Sequence, residues 1–459
     1  MQLPRLVVAG NGSGAGKTTV AVGLMAALRA RGLRVQPFKC GPDYIDPAYL
    51  RLAAGENCRS IDTWLVNRPT IIDLVAKACH GESLALIEGI MGLYDGRSSL
   101  GAEGSTAELA KWLRAPVLLV LDVGRTAQSA GAIALGFRDF DPEVEIIGVV
   151  LNNITSPAHL ARATEGVEVG AGLPVLGHLS YNPGLTLPEQ HPSFLPSAAC
   201  ESLADTMERI RREVQATIDV QALLQAMREA WPLPDSTVGG AFPPSPRPPR
   251  ARVAVLRDEA FDLYQDDNLE LLAAWGGELV TASPLHDTQL PAGLDGVYAG
   301  PGLPELHAAE LAANQPFLSS LREQVKAGLP IYGECGGAVY LSQGVIDQDG
   351  ERYPFLGVAP RWAEMRRSSP RLGYAVATAA RDSLLARRGR HLRAYEFHWA
   401  LTTFPVEDAA YLVSDPEEQL EGYARGNVLA SQLRLHFASD HTLARRFVDQ
   451  CASRRGHED

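Results

Sequence analysis

The sequence predicts an α/β protein in two parts, an N-terminal domain on a parallel sheet and a second α/β domain behind it. Three observations lead there. An apolar run, Leu6-Val7-Val8-Ala9, enters Gly10-Asn11-Gly12-Ser13-Gly14-Ala15-Gly16-Lys17-Thr18-Thr19 and then a stretch of helical spacing. Strand, glycine-rich loop and helix in that order make a phosphate-binding loop. Further apolar runs without alternation at Leu84–Ile87, Val117–Leu121 and Ile146–Leu151 are separated by helical stretches, the pattern of a parallel sheet covered on both faces. Finally, a proline-rich segment near the middle is followed by a fresh strand and helix series.

The 459 residues exceed one ordinary core. With 46% hydrophobic and 21% charged residues the composition is that of a globular protein, and a net charge of −12 argues against nucleic acid or an anionic membrane as partner. Cys40, Cys58, Cys79, Cys200, Cys335 and Cys451 form no Cys-x-x-Cys pair. Neither a zinc frame nor a disulfide scaffold is expected, and the compartment reads as reducing and cytoplasmic. No stretch has the length of a membrane span, and the first apolar run is too short for a signal peptide.

In the first domain, helix is expected over Val20–Ala30 and strand over Leu33–Phe38, followed by the loop Lys39-Cys40-Gly41-Pro42-Asp43-Tyr44-Ile45-Asp46-Pro47. The next strands end in Glu88-Gly89, Asp122 and Asn152-Asn153, and Val175–Leu179 is the last. In such sheets ligands collect at the carboxyl ends of the strands, where the glycine-rich loop, Asp43, Glu88, Asp122 and Asn152 all fall. Helix resumes from Ala198 to about Trp231. We expect domains at 1–231 and 251–459, joined by a proline-rich linker at 232–250 that cannot hold regular structure. The second domain opens on Arg252–Leu256. Its strand Leu294–Ala299 leads to Gly300-Pro301-Gly302, and Pro330–Gly333 runs into Glu334-Cys335-Gly336-Gly337. Arg371–Ala377, Leu392–Phe397 and Val428–Leu435 alternate and carry antiparallel signals.

The residue types point to two chemistries. Gly12, Ser13, Gly14, Ala15, Gly16, Lys17, Thr18 and Thr19 would cradle the phosphates of ATP, with Lys17 on the β/γ-phosphates and the Thr18 hydroxyl on Mg²⁺. Glu88 is the carboxylate expected beside that metal, and Asp43 and Asp46 can add metal or substrate contacts; turn formation beside Pro42 and Pro47 competes for these two. Asn152 could hydrogen-bond adenine or simply make a turn, and Asp122 could cap the next helix. Cys335, between a strand end and a helix start with glycines after it, reads as a nucleophile elbow whose helix dipole would lower its pKa. Among His391, His398, His436 and His441, His436 stands at a strand end suited to a base.

These residues resemble the cobyrinic acid a,c-diamide synthases, including the hydrogenobyrinic acid enzymes. The resemblance spans nearly the whole chain. It rests on Gly-Ala-Gly-Lys-Thr-Thr (14–19), Pro-Phe-Lys-Cys-Gly-Pro-Asp-Tyr-Ile-Asp-Pro (37–47) and Ile-Glu-Gly-Ile-Met-Gly-Leu-Tyr-Asp-Gly (87–96). In the second half it rests on Pro-Glu-Leu-His (304–307), Tyr-Gly-Glu-Cys-Gly-Gly (332–337), Glu-Phe-His (396–398) and Gly-Asn-Val-Leu-Ala-Ser (426–431). The five residues between Gly10 and Gly16-Lys17, one more than in the common phosphate loop, are similar to the dethiobiotin synthetase group. The resemblance implies a dethiobiotin synthetase-like domain followed by a class I, triad-type glutamine amidotransferase domain. It also implies glutamine-dependent, ATP- and Mg²⁺-requiring amidation of the a and c carboxylates of a corrinoid through an acyl phosphate, in cobalamin biosynthesis.

Carried over residue by residue, Thr18, Asp43 and Glu88 act with Mg²⁺–ATP, Asp46 and Tyr44 with substrate or acyl phosphate, and Cys335 and His436 as nucleophile and base. Gly302 and Gly336 line the oxyanion site, since Pro301 has no N–H to donate. The chain departs from the family at Arg434, where the first histidine of a Tyr-x-His-x-His-Phe run is usual, at Pro301 in the family's triple-glycine turn, and at Ala394-Tyr395. The rival substrate is nickel-sirohydrochlorin. The rival class is an ATPase regulator with a degenerate amidotransferase domain, which an intact Cys335 and His436 argue against; whether the chain forms a homodimer stays open.

Overall fold

In the computed structural model, residues 1–97, 101–188, 197–236, 240–366, 371–415 and 418–454 are described. Contacts divide the chain into two compact units, Met1–Val238 and Gly239–Asp459.

Unit 1 is a seven-stranded sheet made of β1 (Arg5–Gly10), β2 (Val35–Cys40), β3 (Arg59–Ile61), β4 (Leu84–Glu88), β5 (Val117–Asp122), β6 (Ile146–Ile154) and β7 (Val175–Ser180). The order is β3-β2-β4-β1-β5-β6-β7, with every pairing parallel. Fully buried runs in β1, β2 and β4 explain the absence of alternation. Helices α1 (Lys17–Ala30), α2 (Asp46–Ala54), α3 (Arg68–Ala78), α4 (Thr106–Leu113), α5 (Ala130–Phe140) and α6 (Pro157–Ala171) connect the strands. Asn67, Ser105 and Ser156 cap α3, α4 and α6 by accepting backbone N–H groups, and Gly55 and Gly172 end α2 and α6 in the left-handed region.

The long helix expected over Ala198–Trp231 is two, α7 (Ser197–Thr217) and α8 (Val220–Glu229), because Asp219 turns to cap Ala222. α1, α7 and α8 close one face of the sheet in a single apolar core. Arg5 fastens this arrangement. Its guanidinium, fully buried, donates to the carbonyls of Leu113 (2.7 Å), Leu3 (2.8 Å), Arg114 (2.7 Å) and Trp231 (2.5 Å). Among the described residues of 232–250 there is neither helix nor strand.

Unit 2 opens with β8 (Ala251–Leu256), α9 (Asp266–Ala274), β9 (Gly277–Ala282) and β10 (Gly296–Ala299). α10 (Ala308–Ala313), α11 (Gln315–Lys326), β11 (Ile331–Glu334) and α12 (Gly336–Leu341) follow. β9, β8, β10 and β11 are parallel neighbours, extended by Val428–Ser431, which runs parallel to β11 and pairs antiparallel with Tyr423–Arg425. Val428–Leu435 is therefore not one antiparallel strand: Val428–Ser431 completes the parallel sheet, and only Leu433–Arg434 joins an antiparallel one. That sheet has five strands, with Arg371–Ala379 against His391–His398 at its centre, as the alternation there predicts. No helix of the described residues is long and apolar enough to cross a membrane. Cys40, Cys58, Cys79, Cys335 and Cys451 are free thiols.

Replacing Arg5 by methionine strands buried carbonyls without donors. We expect Arg5→Met to lower the unfolding free energy by about 3 kcal/mol, read as a fall in the urea midpoint at unchanged slope.

Candidate active sites

In unit 1 the chain leaves β1 into a loop whose last residue, Gly16, has φ +95° and directly precedes α1. A Cβ at Gly16 would lie 2.2 Å from the Asn152 amide nitrogen. Only glycine gives both the left-handed turn and this close approach. Asn152 donates to Ala15 O at 2.9 Å, so its amide nitrogen braces the loop. Lys17 is 7% exposed and donates to Gly12 O at 2.9 Å; burial and the neighbouring Lys39 lower its pKa. Gly14, Gly16, Lys17, Thr18, Thr19 and Asn152 line one side of a cleft of about 480 Å³, and Asp43 and Asp46 line another part of it. Gly12, Ser13 and Ala15 border a second depression of about 670 Å³, with Asp122. Tyr44 is buried at 8% exposure and is not part of the described cleft wall. Asp122 caps no helix: it accepts from Gly124 N at 2.9 Å and Asn153 Nδ2 at 3.0 Å, tying the ends of β5 and β6 together.

The centre of this site is a lysine given no role from sequence. Lys39, at the end of β2, is 1% exposed, and its Nζ meets Asp46 Oδ2 at 2.5 Å, Glu88 Oε1 at 3.0 Å and Asp43 Oδ2 at 3.7 Å. Burial works against the charge, but Glu88, Asp43 and Asp46 outweigh it and hold the ammonium charged well above its ordinary range. Glu88 Oε1 also accepts from Thr18 Oγ1 at 2.7 Å, while its buried Oε2 has no hydrogen-bond partner. Asp43 makes the turn expected beside Pro42: Oδ1 accepts from the N–H groups of Ile45 (2.8 Å) and Asp46 (3.1 Å), and burial raises its pKa.

A hard divalent cation fits here. The orphaned Glu88 oxygen lies on a carboxylate already bonded to the Thr18 hydroxyl, an all-oxygen donor set. No cluster of three His, Cys, Asp or Glu forms a cage among the described residues; Mg²⁺ takes one or two protein groups and completes its shell with phosphates and water.

In unit 2, Cys335 has φ +54° and ψ −112°, a strained conformation for a residue with a side chain, and immediately precedes α12. This is the geometry of a nucleophile elbow. A Cβ at Gly337 would fall 1.8 Å from Ala299 O, so only glycine lets α12 approach β10. Gly337 N–H is taken by Gly300 O at 3.1 Å, whereas Gly336 N–H bonds the cysteine sulfur. Gly302 and Gly336 are brought together, with Gly302 O 2.3 Å from where a Gly336 Cβ would stand.

The expected lowering of the thiol pKa is reversed. Cys335 is 1% exposed, and burial pushes its thiol up to about 12 against the pull of Arg434, with Glu305 and Glu334 adding to the rise. Its Sγ donates to Phe397 O at 3.0 Å. α12 spans only six residues, too short for its dipole to offset that desolvation.

His436, 1% exposed, follows the short strand Leu433–Arg434. Its Nδ1 accepts from Ala438 N at 3.2 Å, and Nε2 lies 3.9 Å from Asp267 Oδ2. Asn268 fixes the backbone on both sides of it, donating to Leu435 O at 2.8 Å and accepting from Phe437 N at 2.7 Å. Asp267 and Asn268 open α9, far away in sequence, and nothing local marked them. Glu334 accepts from Tyr298 (2.8 Å) and Tyr332 (2.9 Å), tying β10 to β11 just before the elbow. His398 is buried, hydrogen-bonds Ala400 O through Nδ1 at 3.0 Å, and is held at about 4 by burial, neutral at physiological pH.

Comparison with known proteins matches both units. Residues 6–194 match the CobQ/CobB/MinD/ParA nucleotide binding domain, and residues 252–442 match the CobB/CobQ-like glutamine amidotransferase domain. The chain is 41% identical to the cobyrinate a,c-diamide synthase of Dehalococcoides mccartyi (strain CBDB1), over 98% of each chain. It is 40% identical to the hydrogenobyrinate a,c-diamide synthase of Streptomyces coelicolor, again over 98% of each. With the cobyrinate a,c-diamide synthase of Priestia megaterium it shares 36% over 97% of each.

Two outcomes follow from this geometry. Alkylation of Cys335 by iodoacetamide without glutamine should be slow at pH 7 and rise about tenfold per pH unit towards pH 10, because only the thiolate reacts; a plateau by pH 8 in peptide mass spectrometry would contradict the buried thiol. Lys39→Met removes the cation from three carboxylates and should cost about 3–5 kcal/mol, measured by urea unfolding.

Proposed function

The chain belongs to the cobyrinate a,c-diamide synthase family, and from that premise we propose that it amidates the a and c side-chain carboxylates of a corrinoid. The substrate is cobyrinic or hydrogenobyrinic acid, glutamine is the nitrogen donor and ATP the co-substrate, in cobalamin biosynthesis. One observation carries the reading: a single chain, matched over nearly its whole length, holds both a phosphate loop with its Thr18–Glu88 pair and a strained cysteine elbow. The enzyme is a carbon–nitrogen ligase.

A carboxylate is a poor electrophile, and ATP makes it a good one. A substrate carboxylate oxygen attacks the γ-phosphorus, ADP leaves, and an acyl phosphate forms. The N–H groups of Gly12 to Thr18 and the start of α1 hold the phosphates, and Lys17 gives up Gly12 O to neutralise the β- and γ-oxygens. Thr18, Glu88 and Asp43 would hold Mg²⁺, which when bound would offset the developing charge on the phosphates. Lys39, held by Asp46 and Glu88, faces the same charge, and Asp46, on the cleft wall, positions the corrinoid carboxylate; Tyr44, buried away from that wall, is given no substrate role.

In unit 2 the Cys335 sulfur attacks the amide carbon of glutamine. His436, with Asp267 Oδ2 3.9 Å from its Nε2, is the base that takes the thiol proton and returns it to the departing nitrogen. Gly336 and Gly302 donate to the oxyanion. Ammonia leaves, and water releases glutamate from the thioester. Ammonia then attacks the acyl phosphate carbon, phosphate departs, and a second round converts the other carboxylate. The chemistry needs no nucleic acid or membrane partner.

The test is mass spectrometry of cobyrinic acid, hydrogenobyrinic acid and nickel-sirohydrochlorin after incubation with enzyme, ATP, Mg²⁺ and glutamine. Two successive carboxyl-to-amide changes on a corrinoid are expected; amidation of nickel-sirohydrochlorin alone would replace the substrate, and no amidation of any ring would overturn the reading. Asp46→Asn should still bind ATP in calorimetry yet lose amidation by at least about 100-fold. Unchanged turnover would reduce Asp46 to a turn residue.

A further inference from the structure

The motif Pro304-Glu305-Leu306-His307 has no role in the mechanism so far. It forms a 3-10 turn after β10. Pro304 Cδ lies 2.7 Å from where a Cβ on Gly336 would stand, so the turn is packed on the residue that follows the nucleophile. Glu305 within it is 9% exposed. Its own backbone N–H bonds the carboxylate, its Oε2 has no hydrogen-bond partner, and burial raises it to about 7 with no cation acting on it. Glu305 also acts on Cys335 through space, against the thiolate.

A buried carboxylate without a counter-charge is costly. Beside a thiol that must itself become an anion it is unfavourable twice over, unless a cation arrives with the substrate. We propose that Glu305 is the specificity-determining residue of the glutamine site, its carboxylate receiving the α-ammonium group of L-glutamine; this rests on the reading of Cys335 as a glutaminase nucleophile. The incoming ammonium satisfies the orphaned oxygen and cancels the charge that opposes the thiolate. The nucleophile is thereby strengthened when an α-amino acid amide is bound, and a simple amide lacks the group that does this.

The experiment measures glutaminase kcat/KM of wild type, Glu305→Gln and Cys335→Ser on L-glutamine and on glutaramic acid, which keeps the amide and carboxylate but has no α-amino group. Amidation with ammonium chloride in place of glutamine monitors folding and the ATP site. Glu305→Gln should lose roughly 30-fold or more on L-glutamine, the scale for removing one partner of a buried charge pair, with little change on glutaramic acid and ammonia-dependent amidation intact. Equal losses on both amides, or unchanged use of glutamine, would overturn the proposal. If Glu305→Gln loses ammonia-dependent amidation, wild type decides: it must prefer glutamine over glutaramic acid by a similar factor, and no preference overturns the assignment. Glutaminase activity that survives Cys335→Ser overturns the underlying reading, and the proposal with it.

Discussion

One buried ammonium organises the nucleotide unit. Lys39 joins the end of β2 to the end of β4 through Glu88 and to the start of α2 through Asp46. A lone charge at that depth would be prohibitive; with acidic partners on three sides it becomes a fixed positive centre. Glu88 is shared between Lys39 and Thr18, so the cation also reaches the phosphate loop. Parallel strands that end together, and one lysine that binds their ends, hold Asp43, Asp46, Glu88 and the loop in one geometry. On the proposed reading, phosphates and a carboxylate substrate would meet there in a preorganised field, the main resource of phosphoryl-transfer sites.

The second unit works from the opposite condition. Its candidate nucleophile, Cys335, is desolvated, hydrogen-bonded to Phe397 O and surrounded by more negative than positive partners, with Arg434 as the cation acting on it. Arg434, one of the residues that depart from the family's sequence pattern, carries the guanidinium that acts on the thiol. It also acts on Glu334, which is fixed by Tyr298 and Tyr332 just before the elbow. The strain at Cys335 is maintained by the close packing of Gly337 on Ala299. A thiol kept protonated until substrate arrives is protected from oxidation.

Much of this was legible in sequence, for physical reasons. Parallel strands buried on both faces are continuous apolar runs, so the sheet of unit 1 could be read directly, and chemistry-bearing residues at strand ends could be placed without coordinates. The elbow was legible because glycines on one side of a cysteine have few other uses. What escaped was whatever depends on contacts distant in the chain. Val428–Leu435 alternates like an antiparallel strand, yet its first half is captured by the free edge of β11. The role of Lys39 depends on β4 lying beside β2, which no local signal states. Asp267 and Asn268 reach His436 across 169 and 168 residues, as the numbering shows. The thiol pKa was misjudged because a dipole can be inferred from a helix start, whereas total burial cannot.

The coupling of ATP to amide formation is tested most directly by labelling the corrinoid carboxylates with oxygen-18 and recovering the inorganic phosphate after turnover with glutamine. An acyl phosphate requires one carboxylate oxygen to leave with phosphate for each amide formed, so labelled phosphate should accumulate in step with the amide. Unlabelled phosphate at full amide yield would contradict carboxylate activation at the Lys39 site.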